Sequence, residues 1–82
     1  MDALNASPRD VEEFEEDSRW FYNNLRLLRS KYTGNFVAIK NKNVIATDKD
    51  LLNLIKAIEE KGENPAYIII EFVYPEEAVI LL

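Results

Sequence analysis

The sequence contains no cysteine, no histidine and only two glycines among its 82 residues. Without cysteine the chain has no disulfide framework, and without either residue it lacks the usual ligands of structural zinc. The missing histidine removes the commonest general base of nucleophilic catalysis. A phosphate-binding loop rich in glycine is excluded too, since both glycines stand where helices are expected to end. We therefore expect neither an enzyme nor a protein that holds a metal or an organic cofactor.

Two groups of residues could in principle support catalysis or cation binding, but each has a simpler structural interpretation. Ser30 and Lys31 are neighbours on a predicted helix, so their side chains point apart. The acidic run "EEFEED" at residues 12–17 is expected to form a solvated helical face. Weak divalent-cation binding by Glu12, Glu13 and Glu16 is the alternative for this run.

Long apolar runs are also missing, because none approaches the roughly twenty residues that span a bilayer. The first ten residues, "MDALNASPRD", have neither the basic start nor the apolar stretch of a secretory signal. With 48% hydrophobic and 30% charged residues, the composition is typical of a globular domain. We expect one cytoplasmic domain over residues 1–82, with no membrane partner and with residues 1–7 as a flexible tail.

Charge is divided into blocks along the chain. Net charge is −6 over residues 1–17, +6 over residues 18–47 and −5 over residues 48–82. A long first helix from Pro8 to the "KYTGN" stop explains much of this division, because acids near its start and bases near its end complement the helix dipole. A nucleic-acid surface in the basic block is the alternative interpretation.

The remaining elements follow from short patterns. "NFVAIK" and "NVIAT" predict a β-hairpin with a two-residue turn at Asn41-Lys42, which pairs Ile39 with Val44 and Val37 with Ala46. A Leu-rich helix follows, with Thr47 predicted as its N-cap. "AYIIIEFVY", apolar on both faces, predicts a central strand, and "AVILL" a short last strand.

These elements predict an α+β fold in the order α-β-β-α-β-β. A right-handed crossover from the second to the third strand would place both helices on one face of a small mixed sheet, as a two-layer sandwich. No repeat, linker or low-complexity tract divides the chain.

Several stretches resemble a family of small archaeal and bacterial domains of unknown function. They are Trp20 in the first helix, "YTGNFVAI" at 32–39, "VIA" at 44–46, "DLLNLI" at 50–55 and Gly62. The resemblance covers about residues 12–75. Thr47 and Asp48 depart from the glycine that often follows "VIA" in this family. The resemblance implies no activity, so it assigns no residue a role.

Protein interaction is the function that the pattern favours. The sheet face away from the helices is predicted to expose an apolar set, which a monomer rarely leaves in water: Phe36, Ala38, Ile45, Tyr67, Ile69 and Val73. We expect a non-catalytic interaction or regulatory module, acting as a homodimer or with a protein partner not identified by sequence. The alternative is a small nucleic-acid-associated protein whose patch comprises Arg19, Arg26, Arg29, Lys31, Lys40 and Lys42.

Overall fold

The computed structural model describes residues 8–75, which form an α+β domain as predicted. Its elements are α1 (Pro8–Asn23), α2 (Leu25–Tyr32), β1 (Phe36–Lys40), β2 (Asn43–Asp48), α3 (Leu51–Glu60), a 3₁₀ turn (Pro65–Tyr67) and β3 (Ile69–Phe72). The predicted tail at 1–7 and the predicted last strand at 78–82 lie outside the described residues. No helix within residues 8–75 combines the length and hydrophobicity needed to cross a membrane.

The predicted long first helix is two helices that meet at Asn24. Its backbone leaves helical geometry, with φ −113° and ψ 17°. The Asn24 side-chain amide donates to the carbonyl of Trp20 at 2.9 Å, while its backbone N–H is shared between the carbonyls of Trp20 and Phe21. Asparagine competes with helical hydrogen bonding in this way, which explains the joint. The glycine expected to end the helix is confirmed, since Gly34 has φ +85°.

The hairpin has the predicted turn but a different register beyond it. Asn41 and Lys42 have φ 53° and 59°, as a two-residue type I′ turn requires, and Ile39 pairs with Val44 as predicted. A β-bulge then leaves Ile45 as an extra residue, so Val37 pairs with Thr47. The predicted pairing of Val37 with Ala46 is therefore wrong by one residue.

The described sheet has the order β2-β1-β3, and both pairings are antiparallel. The predicted mixed sheet is not observed among these three strands. β1 occupies the centre, and β3, which was expected to be central, lies at one end. β2 and β3 run parallel to each other with β1 between them, because both are antiparallel to β1.

The helices lie on opposite faces of the sheet, so the predicted two-layer arrangement with both helices on one face is wrong. One cluster, here called the α1–α2 core, contains Phe21, Leu28, Val37, Ile39, Ile69 and Val73. The other, the α3 core, contains Ala38, Leu54, Ile58 and Ile68. Successive residues of β1 belong to different clusters because side chains alternate across a strand. The result is three layers, with the sheet in the middle.

α3 begins at a different cap from the one predicted. The side chain of Asp50 accepts hydrogen bonds from the backbone N–H groups of Leu52 and Asn53. Thr47, the predicted cap, lies in β2 and donates its hydroxyl to the carbonyl of Phe36 at 2.9 Å. Asp50 is the better placed because it directly precedes the first helical residue.

A buried carboxylate fastens α1 to the hairpin. Asp17 is 6% exposed and accepts the backbone N–H of Asn41 at 3.2 Å and that of Lys42 at 2.8 Å. The expectation of a solvated face at residues 12–17 is therefore wrong for this residue. The bonds satisfy both N–H groups of the turn, which helps lysine to occupy a backbone conformation it seldom adopts.

We expect Asp17→Ala to lower the free energy of unfolding by about 1–3 kcal/mol, because two backbone donors lose their acceptor in a site that water reaches poorly. Glu12→Ala removes the same charge from an exposed position of α1 and is expected to cost less than about 0.5 kcal/mol. Urea denaturation of both variants measures the difference. Equal losses of unfolding free energy in the two variants would show that the hydrogen bonds of Asp17 contribute nothing beyond its charge.

Candidate functional site

The six residues predicted as an open interaction face do not share one face of the sheet. They are Phe36, Ala38, Ile45, Tyr67, Ile69 and Val73. Ile69 and Val73 are buried in the α1–α2 core, whereas Ala38 is buried in the α3 core. The other three are half-buried. α3 occupies the face that was expected to be open, so the six residues do not form one exposed surface.

Because Ile69 is buried, its replacement cannot serve as a test of association. Ile69 is 5% exposed and contacts the core that joins α1 and α2 to the sheet. A lysine at this position would bury a charge in apolar surroundings and unfold the domain. Replacing Ile69 therefore reports on folding, and a surface test needs residues elsewhere.

The surroundings differ among the six residues predicted as a nucleic-acid patch: Arg19, Arg26, Arg29, Lys31, Lys40 and Lys42. Lys40 is bound by Glu63, whose two carboxylate oxygens both lie 2.7 Å from its Nζ atom. Arg29 donates from Nε to the carbonyl of Tyr74 at 3.2 Å. Arg26 and Lys31 are exposed on α2. Arg19 and Lys42 line a common cleft.

That cleft has a volume of about 390 Å³ and lies between α1 and the hairpin turn. Trp20 and Asn23 line it together with the two basic residues, and Glu16 lines it as well. The Glu16 carboxylate is 3.9 Å from the Lys42 ammonium, a loose and exposed pair. The cleft therefore combines an aromatic ring with two cations, partly neutralised by one acid.

A second concavity, here called the edge groove, lies between the α1–α2 joint and β3. Its volume is about 230 Å³, and its lining consists of Phe21, Tyr22, Leu25, Arg29, Glu71, Phe72 and Tyr74. Five of these seven side chains are aromatic or aliphatic. The break at Asn24 shapes this groove, because the groove-lining Phe21, Tyr22 and Leu25 stand on either side of it.

Aromatic rings continue from β1 through the groove. Phe36 and Phe72 meet edge to face with centroids 4.9 Å apart, and Phe72 meets Tyr74 at 4.7 Å. The outermost rings face water, since Tyr22 is 59% exposed and Tyr74 is 55% exposed. Two large, half-solvated rings thus flank one apolar concavity.

The groove adjoins a strand edge without a neighbour among the described residues. β3 pairs with β1, and the ladder continues to Val73, whose N–H donates to the carbonyl of Asn35 at 2.9 Å. Since backbone groups alternate in direction along an antiparallel strand, Ile70 and Phe72 turn their N–H and carbonyl groups outward. Such an edge can pair with an added strand.

Tyr22 and Glu71 interact across the groove. The Tyr22 hydroxyl donates to Oε2 of Glu71 at 3.4 Å. The charge of Glu71 raises the pKa of Tyr22 above its ordinary value of 10.0, and burial and this hydrogen bond act in the same direction. Because its single hydroxyl proton is directed to Glu71, the protonated phenol presents its ring face and an acceptor oxygen to a bound segment.

Two hydroxyl groups, of Ser30 and Thr33, donate hydrogen bonds to backbone carbonyls of α2. Ser30 donates to the carbonyl of Leu27 at 2.6 Å, and Thr33 donates to that of Arg29. Residues 8–75 contain no cluster of three or more acidic, cysteine or histidine side chains suited to a metal ion. The edge groove is suited to binding an apolar segment.

Neither Tyr22 nor Tyr74 was among the residues predicted from the sequence to form a site. Periodicity placed Leu25 and Phe21 in a continuous helical stripe, where no groove would open. Asn24 was the signal in the sequence that could have indicated the helix break. It is a polar residue with local hydrogen-bonding capacity in the middle of an apolar pattern.

We expect Glu71→Gln to lower the pKa of Tyr22 toward 10.0, because the neutral amide no longer repels the tyrosinate charge. A pH titration of tyrosinate absorbance, with the Tyr22→Phe protein subtracted, isolates this group among the four tyrosines. Glu59→Gln, on exposed α3 surface, is the matched control and should leave the pKa unchanged. A pKa of Tyr22 that does not change on Glu71→Gln would contradict the contact across the groove.

Part of this chain matches a known family profile. Residues 27–76 match the sequence profile described as "Family of unknown function (DUF5678)", which spans α2, the sheet and α3. No curated protein and no solved structure matches the chain. Because the match covers more than half of the 82 residues, the chain belongs to this family.

Proposed function

We propose that this member of the DUF5678 family is a non-catalytic protein-interaction module that self-associates through the edge groove and the outer edge of β3. The observation that carries the proposal is the pair of tyrosines, Tyr22 and Tyr74, each more than half exposed beside an outward-facing strand edge. Exposed aromatic rings around an apolar concavity are characteristic of binding surfaces.

Strand addition suits this surface. The outward N–H and carbonyl groups of Ile70 and Phe72 supply main-chain hydrogen bonds, and the groove receives alternate side chains of the added strand. A paired edge also removes the aggregation hazard that an open, apolar edge presents. The segment "AVILL", from which a fourth strand was predicted, belongs to this proposal because its sequence is apolar and of suitable length.

A second copy fits the charges of the groove. Arg29 and Glu71, of opposite sign, both line it. In a two-fold arrangement each surface meets its own counterpart, so Arg29 of one copy can face Glu71 of the other. A net charge of −5 per chain opposes close approach, and this local complementarity offsets it at the contact.

We expect the wild-type protein to sediment as a dimer at micromolar concentration and Tyr74→Ser to raise the dimer dissociation constant about tenfold or more, as loss of an aromatic anchor does. Leu52→Ser is the matched control, because Leu52 is 69% exposed on α3, on the other face of the sheet. Sedimentation equilibrium measures all three. A wild-type protein that remains at 9.5 kDa at the highest soluble concentration would refute self-association.

Nucleic-acid binding is the second candidate, and the cleft of Arg19, Trp20 and Lys42 is the observation that favours it. An aromatic ring in the same cleft as two cations suits a stacked base and its phosphate. Three features weigh against it: Glu16 shares the cleft, Glu63 neutralises Lys40, and the whole chain is acidic. Self-association is therefore the better supported function.

We expect no binding of single-stranded RNA or DNA in fluorescence titrations at about 50 mM salt, where phosphate contacts are strongest. Arg19→Glu and, as a control on α3, Lys56→Glu are titrated in parallel. Micromolar binding that weakens with salt, and weakens further in Arg19→Glu alone, would make the cleft the functional site. In that case the slope of affinity against salt should also fall, since fewer counterions are released.

A further inference from the structure

We propose that Asn24 is a positioning residue for the edge groove, and that its side chain holds α1 and α2 at the angle which spaces the groove for an apolar strand. Asn24 does not line the groove, so it acts through the helices on either side of it. This inference rests on the proposed self-association and assigns the residue that prepares the groove for the second copy.

The helical wall of the groove is built from two helices rather than one. Phe21 and Tyr22 belong to α1, whereas Leu25 and Arg29 belong to α2. The other wall is β3, whose position is fixed by its pairing with β1. Since Asn24 is the single residue between the helices, the angle at this residue sets how far the two parts of the helical wall stand from β3. A change in that angle therefore changes the width of the groove.

Each helix has its own anchor in the rest of the domain. The Asp17 carboxylate fastens α1 to the backbone of the hairpin turn, with contacts of 2.8 and 3.2 Å. α2 is held at the end of β3, where Arg29 donates to the Tyr74 carbonyl at 3.2 Å. These anchors lie on opposite sides of Asn24 in the sequence, so the joint must accommodate the difference between the directions of the two helices. An uninterrupted helix would place at least one of the anchors differently.

Hydrogen bonds made by Asn24 explain how the bend is held. Its side-chain amide donates to the Trp20 carbonyl at 2.9 Å, and its backbone N–H donates to the same carbonyl at 3.0 Å. A side-chain group that enters the hydrogen-bond ladder of a helix bends the helix at that point. Asn24 is half-buried, which shields this bond from competing water. Alanine at this position would have no side-chain donor and would favour a continuous helix.

The contact between Tyr22 and Glu71 spans the groove and reports its width. The hydroxyl of Tyr22 lies 3.4 Å from Oε2 of Glu71, which is long for a hydrogen bond between two oxygens. Tyr22 is also two residues from Asn24, so it moves with the end of α1. A small change in the angle at Asn24 is therefore expected to break this contact and to displace the exposed Tyr22 ring from the rim of the groove.

We expect Asn24→Ala to raise the dimer dissociation constant about tenfold, because an aromatic anchor of the groove is displaced. The pKa of Tyr22 should fall toward 10.0 in the same variant, because the tyrosinate then lies farther from the charge of Glu71. Sedimentation equilibrium measures the first quantity. A pH titration of tyrosinate absorbance, with the corresponding Tyr22→Phe protein subtracted, measures the second.

Two matched variants separate positioning from a general effect of the substitution. Asn24→Ser keeps a donor that can bond the carbonyl four residues earlier and bend the helix, so it should stay within about threefold of the wild-type dissociation constant. Asn23→Ala makes the same change at an exposed neighbouring position of α1 that lines the other cleft, and it should alter neither quantity.

The two measurements keep this inference distinct from self-association. A Tyr22 pKa that is the same in Asn24→Ala and in the wild type would overturn the positioning role, whether or not the protein dimerises. A lowered pKa with an unchanged dimer would show that the width of the groove does not govern association. A loss of affinity as large in Asn24→Ser as in Asn24→Ala would exclude the side-chain hydrogen bond as its cause. A wild-type monomer whose Tyr22 pKa falls in Asn24→Ala would refute self-association while supporting the role of Asn24 in shaping the groove.

Discussion

β1 has no face turned toward water, and the rest of the domain is arranged around this constraint. Val37, Ala38 and Ile39 are successive residues that are all 0% exposed. Since their side chains alternate, a single helical layer can cover only some of them, so α1 and α2 pack on one face and α3 on the other. The sheet is completed on both sides of β1 for the same reason, because a buried backbone must have its hydrogen-bonding groups paired. A small chain thereby makes two cores that share one strand.

The sequence predicted local features well, because their causes lie within a few residues. The turn at Asn41-Lys42, the cap at Gly34 and most helix and strand positions are examples. The layer arrangement was missed because it depends on which face each strand turns to each helix, and apolar residues on both faces of β1 left that open. The bulge at Ile45 is invisible in an alternating apolar pattern. Asn24 was likewise read as part of one helix, since periodicity continues across it.

The candidate site was less predictable than the fold. An open apolar face was expected, yet α3 covers it, and the exposed apolar surface lies instead at one strand end beside a helix joint. Its parts come from residues 21–29 and 71–74, which become neighbours only when α1 and α2 pack on the sheet. The charge blocks did not indicate the partners of the basic side chains, since Glu63 binds Lys40 and the Tyr74 carbonyl accepts a hydrogen bond from Arg29. Segregation along a chain does not imply a patch in space.

Residues from both helical layers bind the hairpin turn and its neighbour Lys40. Asp17 of α1 accepts its two backbone N–H groups, and the neighbouring Lys40 is held at 2.7 Å by Glu63, which lies between α3 and the 3₁₀ turn. Neither layer can leave the sheet without releasing a bond to the same few residues. These contacts couple two cores that could otherwise melt at different temperatures. The domain should therefore unfold in one cooperative transition, with calorimetric and van't Hoff enthalpies in agreement.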